Sequence, residues 1–132
     1  MADRISFDLV SPERLLLSED AEMITLPAAE GDLGVLAGHE PLITTLRPGA
    51  IDVKGGARGE ERFFVMGGFA DINPDKLTVL AEEAFSLAEV QMSEVDERIA
   101  DTKEDILAAK SEQERARLVA RLDALNALRA AL

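Results

Sequence analysis

The sequence predicts a mainly β chain with an α-helical end. A β-sandwich or flattened barrel is expected over residues 1–88, and an antiparallel two-helix hairpin over residues 89–132. Three observations carry this expectation. All 9 glycines and all 5 prolines fall before Ser86, and none follows Glu89. Before Ser86 the apolar residues alternate or run briefly, as half-buried strands require. After Glu89 they recur at helical spacing behind serine-led start signals.

The strand candidates follow in order. Ile5, Phe7 and Leu9 alternate with polar Ser6 and Asp8, and the next apolar runs are Met23-Ile24-Thr25-Leu26 and Leu42-Ile43-Thr44-Thr45-Leu46. Ile51 with Val53, Phe63-Phe64-Val65-Met66, and Leu77-Thr78-Val79-Leu80 complete the series. Ser11-Pro12-Glu13, Arg47-Pro48-Gly49, Gly55-Gly56 and Asn73-Pro74-Asp75 supply the fixed or positive φ of chain reversals. Short strands at close spacing with no helical period between them imply two packed sheets or a closed one.

In the second part, Ser93 with Asp96 and Ser111 with Glu114 have the spacing of capping boxes, so two helices should meet near Lys110-Ser111. Val95, Ile99, Thr102 and Ile106 fall on one face of the first helix, and Leu118, Leu122, Leu125 and Leu132 on one face of the second. Glu89–Lys110 carries 3 basic and 7 acidic residues, net −4, whereas Ser111–Leu132 carries 4 basic and 3 acidic, net +1. The last helix is therefore the segment suited to an acidic partner. A lone helical pair buries too little to hold a fixed shape and suits a moving part.

Composition excludes several functions. The chain has 132 residues, one domain with an appendage, and 26 acidic against 14 basic residues give a formal charge of −12. Such a surface repels phosphate backbones and anionic lipid head groups, so no independent nucleic-acid binding is expected. No apolar run approaches the ~20 residues of a membrane span, so no direct membrane insertion is expected. Met1-Ala2-Asp3-Arg4-Ile5-Ser6 lacks a basic region leading into an apolar stretch, which points to a soluble chain without a cleaved signal. With 0 cysteines there is no disulfide, thiolate nucleophile or cysteine-ligated zinc, and a reducing compartment fits.

Catalytic chemistry has few footholds. His39 is the 1 histidine, which excludes a two-histidine metal site, and neither a nucleophile elbow nor a P-loop is present. No metal, cofactor or catalytic residue is expected. Glu82-Glu83 could form a carboxylate pair, but neighbours on a strand point to opposite faces. Gly67-Gly68 runs on into the strand-like Phe69-Ala70-Asp71-Ile72, so a bend or close backbone approach is expected there, and no dinucleotide fingerprint.

The most specific stretch is Glu30-Gly31-Asp32-Leu33-Gly34-Val35-Leu36-Ala37-Gly38-His39-Glu40-Pro41-Leu42, in which glycines and a proline frame an acid and an imidazole on a tight excursion. It resembles the E-G-E-hydrophobic-G-hydrophobic-x-x-G-H-x-P loop of the epsilon subunit of rotary F-type ATP synthases. The resemblance continues in order through Val10-Ser11-Pro12-Glu13, Leu26-Pro27, Leu46-Arg47-Pro48-Gly49, Val65-Met66-Gly67-Gly68-Phe69 and Leu77-Thr78-Val79-Leu80-Ala81-Glu82. It covers residues 4–84, with a weaker helical match over 89–132.

This resemblance implies a ten-stranded sandwich and a non-catalytic central-stalk subunit. The family's sandwich packs on the gamma subunit and stands on the c-ring, coupling rotation to the catalytic head. Its helices lie folded or extend along gamma toward the alpha and beta subunits, where they oppose ATP hydrolysis. The implied location is peripheral, on the cytoplasmic side of the bacterial inner membrane. Carried onto this chain, the c-ring contact loop comprises Glu30, Gly31, Asp32, Gly34, Gly38, His39 and Pro41. The family's inhibitory state sets the last helix near an acidic segment of beta, which here brings in Arg115, Arg117, Arg121 and Arg129. ATP-binding members resemble I/L-D-x-x-R-A where this chain has Val95-Asp96-Glu97-Arg98-Ile99-Ala100. Arg98 stands one residue early, a rotation of ~100°, which argues against nucleotide sensing through Asp96 and Arg98. The alternative is a free-standing β-sandwich, either ligand-binding or a carboxylate-dependent enzyme domain.

Overall fold

The computed structural model describes residues 4–132. Met1-Ala2-Asp3, which open the stretch read for a leader, lie outside the described residues. Ten strands come first: β1 (Ile5–Val10), β2 (Leu15–Ala21), β3 (Met23–Ala28), β4 (Gly31–Val35), β5 (Leu42–Leu46), β6 (Gly49–Gly56), β7 (Gly59–Val65), β8 (Gly68–Ile72), β9 (Lys76–Ala81) and β10 (Ala84–Ser86). Two helices follow, α1 (Met92–Ala108) and α2 (Glu112–Ala131). The fold is the ten-stranded sandwich with a helical hairpin. The chain divides into two compact units, Met1–Ala88 and Glu89–Leu132.

In the first unit, one layer runs β10-β7-β6-β3-β4, all antiparallel. The other runs β5-β8-β9-β1-β2, with β9 and β1 parallel. Among the described residues a single strand pair, Ala28↔Leu46, joins the layers. Alternation does the rest. Ile5, Phe7 and Leu9 of β1 and Leu77, Val79 and Ala81 of β9 face inward from one layer, and Ile24, Leu26, Ile51, Val53 and Val65 face them from the other, all fully buried. Each large side chain removed from water in this way stabilises by about 1.5–3 kcal/mol. Close approach of β8 to β9 requires glycine: Gly68 has φ +148, and a Cβ there would lie 2.1 Å from the Leu80 carbonyl oxygen. The expected backbone approach at Gly67-Gly68 is present.

Several sequence expectations shift. The apolar pattern does not reveal strands β2, β4 and β10; in β2 it breaks at Leu15-Leu16-Leu17, where the register against β1 also slips. The β6–β7 reversal falls at Ala57-Arg58, after a register shift between Val53 and Gly56 that keeps both glycines in the strand.

In the second unit α1 and α2 pack on each other. Val95, Ile99 and Thr102 are buried and Ile106 is half-buried, as the spacing predicts. Thr102 Oγ1 donates to the Arg98 carbonyl at 2.8 Å, which satisfies the buried hydroxyl. On α2 the stripe holds Leu118, Leu122 and Leu125, but Ala124 and Leu128 complete it in place of Leu132, which caps the helix and is 38% exposed. The Ser111 cap forms, with its hydroxyl accepting from Glu114 N at 3.1 Å, while Glu114 Oε2 accepts from Lys110 N at 3.3 Å. The Ser93 cap does not form. Gln91 is the extended residue before the helix and makes no side-chain cap bond, so Ser93 already lies within the first turn.

Candidate functional site

The stretch read as one excursion is a strand followed by a turn. Gly31–Val35 pairs with β3 in the register Ala28↔Gly31 and Ile24↔Val35, which leaves Ala29-Glu30 as the hairpin tip. Asp32 stands opposite Pro27, where the proline offers no N–H to the ladder. Arg47, just past β5, clamps this end. Its Nε donates to the Ala28 carbonyl at 2.9 Å and its Nη2 to Asp32 Oδ1. Arg47 N also donates to the Pro27 carbonyl at 3.0 Å. Asp32 is thus positioned, although its side chain remains 70% exposed.

The far end of β4 leads into the turn Leu36-Ala37-Gly38-His39. Gly38 holds φ +89 and donates its N–H to the Pro74 carbonyl at 2.7 Å, tying the turn to the β8–β9 connection. His39 Nδ1 lies 2.7 Å from the Glu40 carbonyl. A carbonyl only accepts, so the proton belongs on Nδ1. The structure therefore groups the predicted residues in two. Glu30, Gly31 and Asp32 line an open cavity of about 430 Å³ together with Ala28, Leu42 and Thr44. Gly38 and His39 lie at the other end of a five-residue strand, while Gly34 sits within it and Pro41 precedes β5.

Sequence reasoning missed an apolar surface on the second layer. Thr45, Phe69, Leu80 and Val10 form one row across β5, β8, β9 and β1. Phe69 is 54% and Leu80 45% exposed, and Ile43, on the same outer face, is 73% exposed. The signal was present as alternation: once Ala70 and Ile72 are assigned to the core, Phe69 must point outward. Glu82 and Glu83 also differ from expectation. They occupy a bend after β9, anchored by Glu82 N to Gly67 O and Met66 N to Glu83 O, and both line one cavity of about 330 Å³ with Ser11, Glu13 and Arg14. A bend does not impose the alternation of a strand.

On the hairpin, Arg129 Nε donates to Asp96 Oδ1 at 2.5 Å. Asp96, considered for nucleotide, is engaged by the opposite helix. Arg115, Arg117, Arg121 and Arg129 are all exposed. Among the described residues no group of three histidine or acidic side chains could hold a metal, and no helix is long and apolar enough to cross a membrane.

Residues 4–87 match the beta-sandwich domain of the ATP synthase delta/epsilon chain. The ATP synthase epsilon chain of Parvibaculum lavamentivorans is 45% identical over 129 residues, spanning 98% of each chain. That of Mesorhizobium japonicum is 45% identical over 132 residues, 100% of this chain and 98% of that one. Among solved structures, a chain of the Euglena gracilis mitochondrial ATP synthase OSCP/F1/c-ring assembly superposes with a TM-score of 0.79 at 26% identity, covering 99% of this chain and 82% of that one. A chain of the Tetrahymena thermophila central stalk and c-ring shares the fold, with a TM-score of 0.66 at 14% identity over 96% and 95% of the two chains.

Proposed function

The chain belongs to the ATP synthase delta/epsilon family, and on that premise we propose that its sandwich docks on gamma and stands on the c-ring, while its hairpin acts as a weak brake on ATP hydrolysis. It is a non-catalytic subunit of the central stalk of the rotary ATP synthase. One observation carries this assignment: identity near 45% extends over essentially the whole of both chains, helices included. Nothing comparable supports a free-standing binding or enzyme domain.

The structure makes each contact physically reasonable. A stalk subunit must transmit force without deforming, and two sheets closed over fully buried side chains are stiff because interiors are close-packed. Docking on gamma needs desolvated apolar area, which Ile43, Phe69 and Leu80 offer on a strand face that sets their spacing. For the c-ring foot, Glu30 and Asp32 present carboxylates beside a cavity, with Asp32 oriented by Arg47. The hairpin pairs an apolar stripe with exposed guanidinium groups, which fits insertion into a groove edged by carboxylates. The proposed partners would hold the chain peripherally at the cytoplasmic face of the bacterial inner membrane.

Affinity purification of the tagged chain from its own cells tests the whole. Gamma, alpha, beta and the c-ring should co-purify in one membrane-associated ATPase. A chain that migrates alone from intact membranes overturns the proposal.

A further inference from the structure

Two glutamates occupy positions that strand alternation reserves for the core. On β2, Ala21 is fully buried, and Glu19 lies two residues before it on the same face, directly across from the fully buried Phe7. On β7, Val65 is fully buried and Phe63 packs against the core. Glu61 is the next residue in that series, directly across from the fully buried Val53. β2 is the free edge of its layer and approaches β6 without pairing to it. The two side chains meet across this seam, with the Glu19 carboxyl within hydrogen-bonding reach of the Glu61 carboxyl. Oε1 of each is shielded from solvent, and neither has a hydrogen-bond partner among the described residues while both are ionised. Gly56 leaves the space for this meeting, since a Cβ there would lie 2.6 Å from Glu19 Oε1.

Ionised carboxylates only accept hydrogen bonds, so two of them face to face in a shielded seam repel and leave both oxygens unsatisfied. One proton changes this, because a protonated carboxyl donates to the other in a short charge-assisted bond. We propose that Glu19 and Glu61 share a single proton, which latches the edge strand β2 onto the β6–β7 hairpin. Burial, and then the bond and charge of Glu19, raise the Glu61 carboxyl above its ordinary value of 4.5, while Arg58 in the β6–β7 turn acts the other way.

Arg58 is the charge that bears on Glu61 besides Glu19, and the other neighbouring charges are engaged elsewhere or lie on outer faces. Phe7 and Val53 carry no charge. Arg4 and Glu22 pair with each other at 3.8 Å beside Gly55. Arg62 with Asp52, and Lys76 with Asp8, occupy the outer faces, and Lys54 is exposed on the outer side of β6. The sign follows from linkage. A group whose folded pKa is raised contributes stability fully below its unfolded value and loses that contribution as pH rises through the folded one. The latch therefore releases toward higher pH, and β2 loosens first.

The full chain tests this directly. Side-chain carboxyl carbons followed by NMR should show the pair titrating in two separated steps, as coupled sites do. Exchange of β2 amides, corrected for intrinsic rates, should rise several-fold in the wild type as pH is raised through and above the ordinary carboxylate range. Glu61→Gln and Glu19→Gln each supply a permanent amide donor to the remaining carboxylate, so each should flatten that rise. If both carboxyls titrate together as exposed groups do, or if both variants keep the wild-type pH dependence of β2 exchange, the latch does not exist. The titration needs no variant, so a misfolded substitution leaves the test intact.

Discussion

Arg129 near the end of α2 and Asp96 near the start of α1 form an ion pair at 2.5 Å, which closes the open end of the hairpin across 33 residues of sequence. Both side chains are about half exposed, at 50% and 48%, so the pair contributes under about 1 kcal/mol. It gives Arg129 a part in holding the hairpin itself. Arg129→Ala should loosen the hairpin and raise amide exchange at the ends of α1 and α2 without changing assembly. Replacing Arg115, Arg117 and Arg121 together by alanine should speed ATP hydrolysis by the assembled complex at low ionic strength, with the difference shrinking as salt is added. Hydrolysis unaffected by the triple change would make the hairpin a structural appendage.

The same pair shows where local sequence stops being informative. Ser111-x-x-Glu114 and Ser93-x-x-Asp96 look alike at the level of spacing, and only the first caps a helix. Both partners of the Ser111 cap lie within one turn, so the local pattern suffices. Asp96 is instead used by a residue on another helix, and no local pattern encodes that. The strand order follows the same division. Alternation in β1 and β9 made their inward faces readable, since Ile5, Phe7 and Leu9 announce a buried side without reference to the partner strand. β2 places Glu19 on its inward face between Leu17 and Ala21, so the apolar alternation that would mark a buried side is interrupted. The Glu61 that compensates for it comes 42 positions later and becomes visible only when the sheet closes. In the loop stretch, glycines and proline suggested continuous turn, but Leu33 and Val35 alternate well enough for Gly31–Val35 to pair with β3.

Gly68→Ala should be among the most damaging single changes in the sandwich. The added Cβ would meet the Leu80 oxygen at 2.1 Å and the Ala81 Cα at 2.9 Å, and the backbone at φ +148 disfavours any side chain. Neither neighbour is a flexible side-chain end, so β8 and β9 must separate. A loss on the order of 3 kcal/mol is expected, read as a lower urea midpoint. Wild-type stability in this variant would show that the two strands part without cost.

Asp8 makes the sandwich sensitive to acid. Its carboxylate accepts from Ser18 Oγ at 2.7 Å and pairs with Lys76 Nζ at 3.2 Å. The Ser18 bond, with Lys76 adding to it and burial opposing, holds the carboxyl below its ordinary value of 3.8. A lowered folded pKa contributes stability that is complete above the unfolded value and is lost as pH falls through the folded one. Asp8→Asn should therefore cost stability at neutral pH and progressively less below about pH 4. Urea midpoints measured across that range check the sign, and a constant difference between the two proteins would refute it.

The c-ring foot is tested at Asp32. Its exposed position on β4, beside the cavity shared with Glu30 and Leu42, presents it to a partner while the backbone stays clamped through Arg47. Cysteine placed at 32 should cross-link to c subunits carrying cysteine in their polar loops within the assembled enzyme. Loss of the exposed Arg47 pair should change stability by under about 1 kcal/mol, so absence of the cross-link in a correctly assembled complex would count against the contact itself.

A chain ending at Ala88 should fold, bind gamma and couple proton flow to synthesis. The buried cluster from Ile5 to Ala81 is contained within the first compact unit, and every strand pairing is completed before Glu89. The outer row of Thr45, Phe69, Leu80 and Val10 also lies wholly within it. Removing the helices takes away neither the core nor the proposed docking surface. Phe69→Asp in this shortened chain supplies the contrast, because it places a charge on the outer face, leaves the inward residues untouched, and should abolish gamma binding while the sandwich still melts cooperatively. If the shortened chain folds but cannot bind gamma, the helices are part of the docking surface. If Phe69→Asp still binds as tightly as the unaltered sandwich, gamma docks elsewhere than on the β5-β8-β9 face.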